Sequence, residues 1–355
     1  MAFDVGKLYL QEEGFGLFLG AGASYQAGYP LMDGLTKKVF DLMPDEKVNF
    51  ILELVNREMG IMVNLKKGSP NIEVITDLIE NRIAMLNQNE EKRTLTEIAQ
   101  SIRENIIKVI LEIRKPILEN HIKMFIAIKT IFAGRQCPIW IFTTNYDLLI
   151  EHAASIAGIP VLDGFLGSTL RYFDVSSLNW KFGTYINQGR SRTVFNQIRT
   201  PYIKLLKLHG SVNWWSDSQK IYSAGEHIDF SDKLTRTMVH PRKRKVMDIL
   251  DPPFDSLWRV ANEVIGGPEC KYLTTLGYSF GDIHINEGLL LPKLRENRIV
   301  LNALMKQDTH GLTPFKEFKG FQIGTEENTN LWDFQQFVQY LFSIAGAPAF
   351  RRVNL

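Results

Sequence analysis

The sequence predicts an α/β fold, a parallel and doubly wound sheet interrupted by a long helical insertion. Short apolar runs with strand character recur along the chain, with helical patterns between several of them, which is typical of such a sheet. The stretch 31–135 instead shows helical periodicity and little strand signal. Polar motifs follow several of the apolar runs, at the strand ends where open α/β sheets bind their ligands.

The first strand is expected at residues 16–19, where a buried apolar run leads into a glycine-rich turn. Further strands are expected at 138–142, 203–208, 272–276, 298–303 and 319–323. We therefore expect one domain over 1–355, with a Rossmann-like core formed by 14–30 and 136–325. No second complete domain is expected after the sheet.

The helical insertion is expected over about 31–135. Its isoleucines at 98, 102, 106, 110 and 113 have three- and four-residue spacing, which produces one apolar helix face. A closing helix is expected at 331–346. The polar segment 183–200 is expected to be a surface loop, and the basic run 242–245 to be a solvated loop.

Composition limits the possible functions. The chain has 355 residues, of which 45% are hydrophobic and 23% charged, and its net charge is +2. So small a charge gives no reason to expect direct nucleic-acid binding. The only cysteines, Cys137 and Cys270, could pair with each other, but two cysteines cannot form a four-cysteine zinc ribbon.

The sequence gives no sign of export or membrane insertion. Its first residues lack a basic segment followed by an apolar core, and no apolar stretch approaches the roughly 20 residues that span a bilayer. We therefore expect a cytoplasmic protein with no membrane partner.

The first polar motif is Gly20-Ala21-Gly22-Ala23-Ser24, directly after the first strand. Glycines let the backbone approach a ligand, free amides there can hold a pyrophosphate, and Ser24 adds a hydroxyl donor. Tyr25 stands where the dinucleotide fingerprint has its third glycine. A tight turn without a ligand is therefore equally compatible with this motif.

The second motif places Asn145 and Asp147 after the apolar run 138–142. An amide can orient a ribose hydroxyl or a water molecule, and a carboxylate can accept a hydrogen bond from a carboxamide. The alternative is helix capping, since both residue types are favoured at helix starts and a helical pattern begins at Leu148.

Two further motifs follow later strands. His209, in Lys207-Leu208-His209-Gly210-Ser211, is suited to proton transfer near neutral pH, although a structural role is an equal alternative. The last motif starts at Gly277 and includes Asp282 and His284, which lack a visible third ligand. No metal site is predicted.

Together the motifs resemble those of the sirtuin superfamily. The elements that match, in the order of the family, are Gly20-Ala21-Gly22-Ala23-Ser24, Thr144-Asn145-Tyr146-Asp147, His209-Gly210 and Gly277-Tyr278-Ser279. In sirtuins the corresponding elements surround NAD. The resemblance implies a Rossmann-like parallel sheet of the sirtuin type and NAD as the substrate. It implies that NAD contacts Gly20, Ala21, Gly22, Ser24, Thr144, Asp147, Gly277 and Ser279.

The chain departs from the protein-deacetylating sirtuins in two places. Trp214-Trp215 stands in the region where they carry a zinc ribbon, and Gly28-Tyr29-Pro30-Leu31-Met32 replaces their Gly-Ile-Pro-Asp-Phe-Arg segment. The chain is more similar to bacterial sirtuin-like effectors of antiphage defence. These show Thr-Thr-Asn-Tyr-Asp, Lys-Leu-His-Gly-Ser and Gly-Tyr-Ser-Phe-x-Asp-x-His-Ile-Asn almost as they stand here.

That resemblance implies an NAD+ hydrolase that releases nicotinamide and ADP-ribose and so depletes the cofactor of an infected cell. Asn145 and His209 would be catalytic, Asn145 at the ribose or the water and His209 as general base on a ribose hydroxyl. Asp147 would bind the carboxamide. A homo-oligomer is implied, with a separate sensor or ATPase partner of the HerA type or a short Argonaute. The alternatives are an NAD-dependent protein deacylase and a non-catalytic subunit that senses NAD or ADP-ribose.

Overall fold

The computed structural model describes residues 3–60, 70–135, 137–187, 192–217, 219–238 and 252–346. The basic run 242–245 lies outside these residues. In chain order the strands are β1 (Phe15–Leu19), β2 (Pro138–Thr143), β3 (Val161–Leu162), β4 (Phe165–Gly167), β5 (Arg171–Phe173), β6 (Gly183–Asn187), β7 (Thr193–Gln197), β8 (Tyr202–Lys207), β9 (Gly210–Ser216), β10 (Ile221–Ser223), β11 (Thr235–Met238), β12 (Tyr272–Leu276), β13 (Val300–Leu304) and β14 (Phe321–Gly324).

The helices of the described residues separate and cover these strands. In chain order they are α1 (Ala21–Tyr25), α2 (Met32–Asp41), α3 (Asp45–Met59), α4 (Ile72–Met85), α5 (Glu90–Leu111), α6 (Glu119–Ile131), α7 (Leu149–Ala157), α8 (Phe254–Val264), α9 (Ile283–Ile285), α10 (Leu291–Arg295) and α11 (Phe334–Ile344). The predicted closing helix at 331–346 corresponds to α11.

The central sheet confirms the predicted α/β fold. It has seven strands in the order β14-β13-β12-β1-β2-β8-β3, and all neighbouring strands are parallel. Apolar runs form these strands because helices cover both faces of the sheet. β1 lies between β12 and β2, so the chain winds outward from β1 in both directions. Such a switch point opens a crevice at the carboxyl ends of the strands.

Two apolar cores hold the helices against this sheet. One face packs Trp140, Leu206 and Leu273 with Leu257 of α8. The opposite face packs β1 and β2 with α6, α7 and α11. The two sets alternate along each strand because successive side chains point to opposite faces.

A third core lies within the layer formed by α2, α3, α4 and α5. Isoleucine side chains such as Ile51, Ile75 and Ile102 fill it, and it extends to Leu149 at the start of α7. α6 falls within the range predicted for the insertion, 31–135, yet Ile122 and Phe125 pack with the sheet instead. The layer with its own core is therefore α2 to α5.

Antiparallel strands form two sheets that the sequence analysis missed. One has five strands, in the order β11-β9-β10-β5-β4, and the other is the β6–β7 hairpin. The predicted loop at 183–200 was therefore wrong, whereas its predicted surface position agrees with the mostly exposed residues of β6 and β7. The hairpin pairs Tyr185 with Phe195 and Ile186 with Val194, and such aromatic and β-branched pairs stabilise strands even in a polar segment.

The five-stranded sheet contains Trp214 and Trp215, both in β9 and both buried. Trp214 packs against Phe165 with ring centroids 5.0 Å apart.

Cys137 and Cys270 are free and buried, so the possible disulfide between them is not formed. No helix within the described residues has the length and apolar character to cross a membrane.

Candidate functional site

A cavity of about 770 Å³ opens at the carboxyl ends of five strands of the central sheet. Its walls come from the segments that follow these strands, β1, β2, β8, β12 and β13, together with the segment that joins β14 to α11 and the helical layer. Its volume is in the range of sites that enclose small organic ligands. The cavity thus lies at the switch point where the strand order predicts a ligand site.

All four sequence motifs contribute to this cavity. The predicted site residues that line it are Ala21, Gly22, Ser24, Thr144, Asn145, Asp147, His209, Gly277 and Ser279. Gly20 is not among the lining residues. Its carbonyl instead accepts a hydrogen bond of 2.9 Å from the side chain of Asn145.

A hydrogen-bonded chain joins the first two motifs. Nδ2 of Asn145 donates to the carbonyl of Gly20 at 2.9 Å and to Oγ of Ser24 at 2.8 Å. Oγ of Ser24 donates to Oδ2 of Asp147 at 2.7 Å. Since a carbonyl can only accept, the contact with Gly20 fixes which end of the amide faces it. The amide oxygen of Asn145 takes part in neither of these two hydrogen bonds.

The hydroxyl of Ser24 donates its hydrogen to Asp147, and its use as a donor to a pyrophosphate stays a prediction. Asp147 is also partly a capping residue. Its Oδ1 accepts a hydrogen bond of 3.1 Å from the amide of Leu149, the first residue of α7. The capping and site interpretations of Asp147 are thus compatible.

The two glycine motifs contact each other directly. The amide of Gly22 donates to the carbonyl of Gly277 at 3.0 Å. A Cβ at Gly22 would lie 2.6 Å from the Cα of Gly277. Gly277 has a φ of +63° and leaves no room for a Cβ beside the amide of Ala23. These glycines are therefore required for the close approach of the β1 and β12 loops.

Lys207 holds the backbone of the second motif, at Asp147, in place. Its ammonium group is buried and donates to the backbone carbonyl of Asp147, to Oε1 of Glu151 at 2.9 Å and to Oγ of Ser211 at 2.8 Å. Since Lys207 ends β8 and Glu151 lies in α7, the lysine fixes the β2 loop between a strand and a helix.

His209 is buried at the cavity and pairs with an aspartate that the sequence analysis considered only as a metal ligand. Its Nε2 lies 3.1 Å from Oδ2 of Asp282. Asp282 follows β12 at the same edge of the sheet and also lines the cavity. Its position after a strand was the signal that could have indicated a role. Its partner could not be inferred, because 73 residues separate the two in sequence.

Other lining residues were missed because they follow no motif. Glu73 of α4 and Ile110 of α5 reach the cavity from the helical layer, and Lys306 and Trp332 reach it from the segments after β13 and β14. Five carboxylates line the cavity, from Asp33, Glu73, Asp147, Asp282 and Asp333, whereas Lys306 is its only lysine or arginine among the described residues. The cavity is therefore predominantly acidic, which favours a ligand with a cationic group.

Two tyrosines of the cavity keep their protons. Burial and, second, the charge of Asp147 raise the pKa of Tyr29. Burial and the charge of Asp282 likewise raise the pKa of Tyr278 well above its usual value. Both hydroxyls are therefore neutral hydrogen-bonding groups.

Within the described residues, no group of three or more His, Cys, Asp or Glu side chains is arranged to hold a metal ion.

The parallel sheet and its switch-point cavity define an α/β protein of Rossmann-like architecture with a cavity lined by polar residues at the strand ends. The family model described as SIR2-like domain matches residues 140–296. The match includes Asn145, Asp147, His209 and Gly277, and it supports membership of the sirtuin-like superfamily. It covers less than half of the chain and leaves out β1 and the helical layer.

SIR2-like domains use NAD as a substrate, and the match therefore indicates an NAD-dependent enzyme of the sirtuin superfamily. No curated protein matches the chain.

Proposed function

We propose that this chain hydrolyses NAD+ to ADP-ribose and nicotinamide, and that it does so as an abortive-infection effector of antiphage defence. The observation that carries the proposal is the meeting of Asn145 and His209 at one cavity. They follow different strands, β2 and β8, and lie 64 residues apart in sequence. The SIR2-like match supports NAD as the substrate.

The proposed reaction breaks the bond between C1′ of the ribose and the ring nitrogen of nicotinamide. Both electrons of that bond go to the ring, which is cationic in NAD+ and leaves neutral, so the leaving group needs no proton. Positive charge builds up on the ribose, as in other glycosidic cleavages. Water then bonds to C1′ and releases one proton, which completes ADP-ribose.

Asn145 is proposed to orient the ribose or the attacking water through its amide oxygen. Both hydrogens of that amide are held by Gly20 and Ser24, so the oxygen is presented without rotational freedom. Such fixed dipoles stabilise a charged transition state because they need no reorganisation. Asp147 is proposed to accept a hydrogen bond from the carboxamide, and the acidic lining favours the cationic nicotinamide ring before cleavage.

His209 is proposed to act as general base on a ribose hydroxyl. The loop formed by Gly20, Ala21, Gly22 and Ser24 is proposed to lie against the pyrophosphate, with Thr144, Gly277 and Ser279 completing the site. The amides of Gly20 and Gly22 already donate to the carbonyls of Leu276 and Gly277. Phosphate binding by this loop would therefore rely on other groups, of which the amide of Ala21 is the nearest in sequence.

The direct test incubates the purified chain with NAD+ and measures nicotinamide and ADP-ribose by chromatography, with and without an acyl-lysine peptide. We expect both products in equal amounts, independent of the peptide. Asn145→Ala and His209→Ala should each reduce turnover by about 100-fold or more. Undiminished turnover in both variants would remove the assigned roles, and turnover that requires the peptide would favour deacylation.

Effectors of this kind must be silent in healthy cells, so the same measurement belongs in infected bacteria. Cells that express the chain with its neighbouring genes should lose NAD+ after phage challenge, and cells with Asn145→Ala should not. Tight NAD+ binding without turnover in both settings would contradict hydrolysis and support a sensing subunit.

We also propose that the protein acts in the cytoplasm, as a homo-oligomer and with a separate sensor or ATPase partner of the HerA type or a short Argonaute. The support is the resemblance to defence effectors, in which these features recur. A solution mass that corresponds only to the monomer at micromolar concentration would contradict the oligomer.

A further inference from the structure

Asp282 contacts His209 with one carboxylate oxygen and the backbone with the other. Oδ2 lies 3.1 Å from Nε2 of His209, and the two side chains are 8% and 9% exposed. Oδ1 accepts hydrogen bonds from the amides of His284 at 3.0 Å and Ile285 at 3.3 Å. The carboxylate thus caps α9 while it holds the imidazole.

The segment around Asp282 is fixed by further contacts. The hydroxyl of Tyr278 donates to Oδ1 of Asn286 at 3.1 Å and lies 3.4 Å from the carbonyl oxygen of Asp282. Nδ2 of Asn286 donates to the carbonyl of Phe280 at 2.8 Å. All of these groups lie within residues 278–286, directly after β12, so contacts within this one segment set the position of the carboxylate independently of His209.

The pairing decides which ring nitrogen can accept a proton. A neutral imidazole has one N–H and one lone pair, and an ionised carboxylate can only accept a hydrogen bond. The contact with Asp282 therefore assigns the hydrogen to Nε2 and the lone pair to Nδ1. A carboxylate in this position also stabilises the imidazolium that forms when the ring takes a second proton.

We propose that Asp282 is the positioning residue of His209 and that Nδ1 of His209 accepts the proton of the ribose hydroxyl. This inference rests on the proposed function. In the step, the O–H bond of the ribose breaks and an Nδ1–H bond forms, while Asp282 stays ionised. The proton returns to the ribose oxygen as water adds to C1′ and loses its own proton to solvent.

The substitution Asp282→Asn separates the two tasks of this side chain. An asparagine keeps an oxygen that can accept from His284 and Ile285, but it presents NH₂ instead of a carboxylate oxygen to Nε2. The imidazole must then accept at Nε2 and carry its hydrogen on Nδ1. We expect kcat to fall by about 100-fold and KM to change by less than about threefold.

Asp217→Asn is the matched control. Oδ1 of Asp217 also accepts from two backbone amides, those of Gln219 and Lys220, each at 2.7 Å, but Asp217 does not line the cavity. We expect this variant to keep its kcat, and we expect both asparagine variants to keep the Tm of the unmodified chain. Equal losses of kcat in the two variants would overturn the positioning role, as would an Asp282→Asn variant with full activity.

A second measurement does not depend on turnover. Nitrogen-15 NMR of labelled histidines, assigned with His209→Ala, reports the protonated nitrogen of His209 near neutral pH. We expect Nε2–H in the unmodified chain and Nδ1–H in Asp282→Asn. The same tautomer in both, or a doubly protonated ring in the unmodified chain, would overturn the inference. If the tautomer switches while NAD+ is consumed neither by the purified chain nor in infected cells, the proposed function fails and the pairing stands.

Discussion

Lys204 and Lys207 lie three residues apart in β8, and both are buried, yet they support different parts of the molecule. Lys204 donates to Glu269 at 3.0 Å and lies 4.8 Å from the ring centroid of Trp140, which also donates to Glu269 at 2.9 Å. Lys207 donates to the backbone of Asp147, to Glu151 and to Ser211. The two lysines point to opposite faces of the sheet because their spacing is odd.

The difference lies in what each lysine fixes. The cluster of Lys204 joins side chains on the face of the sheet that packs α8, and none of its three members lines the cavity. The cluster of Lys207 holds the loop that carries Asn145 and Asp147 into the cavity. The same residue type in the same strand therefore serves packing in one place and the geometry of the site in the other.

The largest expected effect is a difference in unfolding free energy between the variants Lys207→Met and Lys204→Met. Lys207→Met leaves Glu151, Ser211 and a backbone carbonyl without their donor in a buried setting, which should cost about 3–5 kcal/mol of unfolding free energy. Lys204→Met should cost about 1 kcal/mol or less, because the side chain of Glu269 is 45% exposed and water can replace the lysine. Urea unfolding of both variants measures the difference.

NAD+ turnover extends this test. Lys207→Met should also lose most of its activity, because the loop with Asn145 is no longer held, whereas Lys204→Met should keep it. Equal stability losses, or loss of activity in Lys204→Met alone, would show that the comparison is mistaken.

His121 is a buried titratable group of a different kind, because its Nδ1 has no hydrogen-bond partner among the described residues. Burial lowers its pKa to about 3, from 6.5. Between these values the unfolded chain binds a proton that the folded chain does not, so stability falls as pH falls below about 6.5. The loss should be about 1.4 kcal/mol per pH unit, or about 2 kcal/mol at pH 5.

Unfolding measured from pH 7 to pH 4 should therefore show a smaller slope in His121→Phe, which keeps an aromatic ring beside Phe334. His227→Gln is the control, since the side chain of His227 is 56% exposed and should leave the slope unchanged. Parallel slopes for the unmodified chain and His121→Phe would contradict the assignment.

Ser24→Ala tests the hydrogen bonds that join Asn145, Ser24 and Asp147 in the loop held by Lys207. It removes the acceptor of Asn145 and the donor to Asp147, which should cost about 1–2 kcal/mol of unfolding free energy. Turnover should fall about tenfold or more, because the amide of Asn145 loses one of its two contacts. Ser155→Ala, at an exposed serine of α7, should change neither quantity. Full turnover in Ser24→Ala would show that the hydrogen bonds joining Asn145, Ser24 and Asp147 are only structural.

The smallest expected effect concerns the cysteines, which lie on the two faces of the sheet. Burial raises the pKa of Cys137 to about 11 and the pKa of Cys270 to about 12, in each case with a nearby glutamate adding to the shift. An aromatic disulfide reagent at pH 8 should therefore react with neither thiol until the chain is unfolded. Rapid reaction of one thiol in the folded protein would show that its side of the sheet opens.

Most strands of the central sheet, and the strand-end motifs that line the cavity, were predictable from the sequence. Apolar runs bounded by polar motifs indicated β1, β2, β8 and β12, and the same motifs indicated where the ligand site would lie. The five-stranded sheet and the β6–β7 hairpin were not predicted, because β4, β5, β10 and β11 have only three or four residues each and polar side chains interrupt β6, β7 and β9. Their stability comes from cross-strand partners that the local sequence does not reveal.

Local sequence determined the elements whose physical causes are local: buried apolar strands, an amphipathic helical layer, and turns where only glycine fits. The tertiary structure alone decided which polar groups meet. It pairs the hydroxyl of Ser24 with Asp147 and the ammonium group of Lys207 with the backbone of the β2 loop. It also places Asp282 next to His209. These pairings depend on the order of strands in the sheet, and that order results from packing across the whole chain.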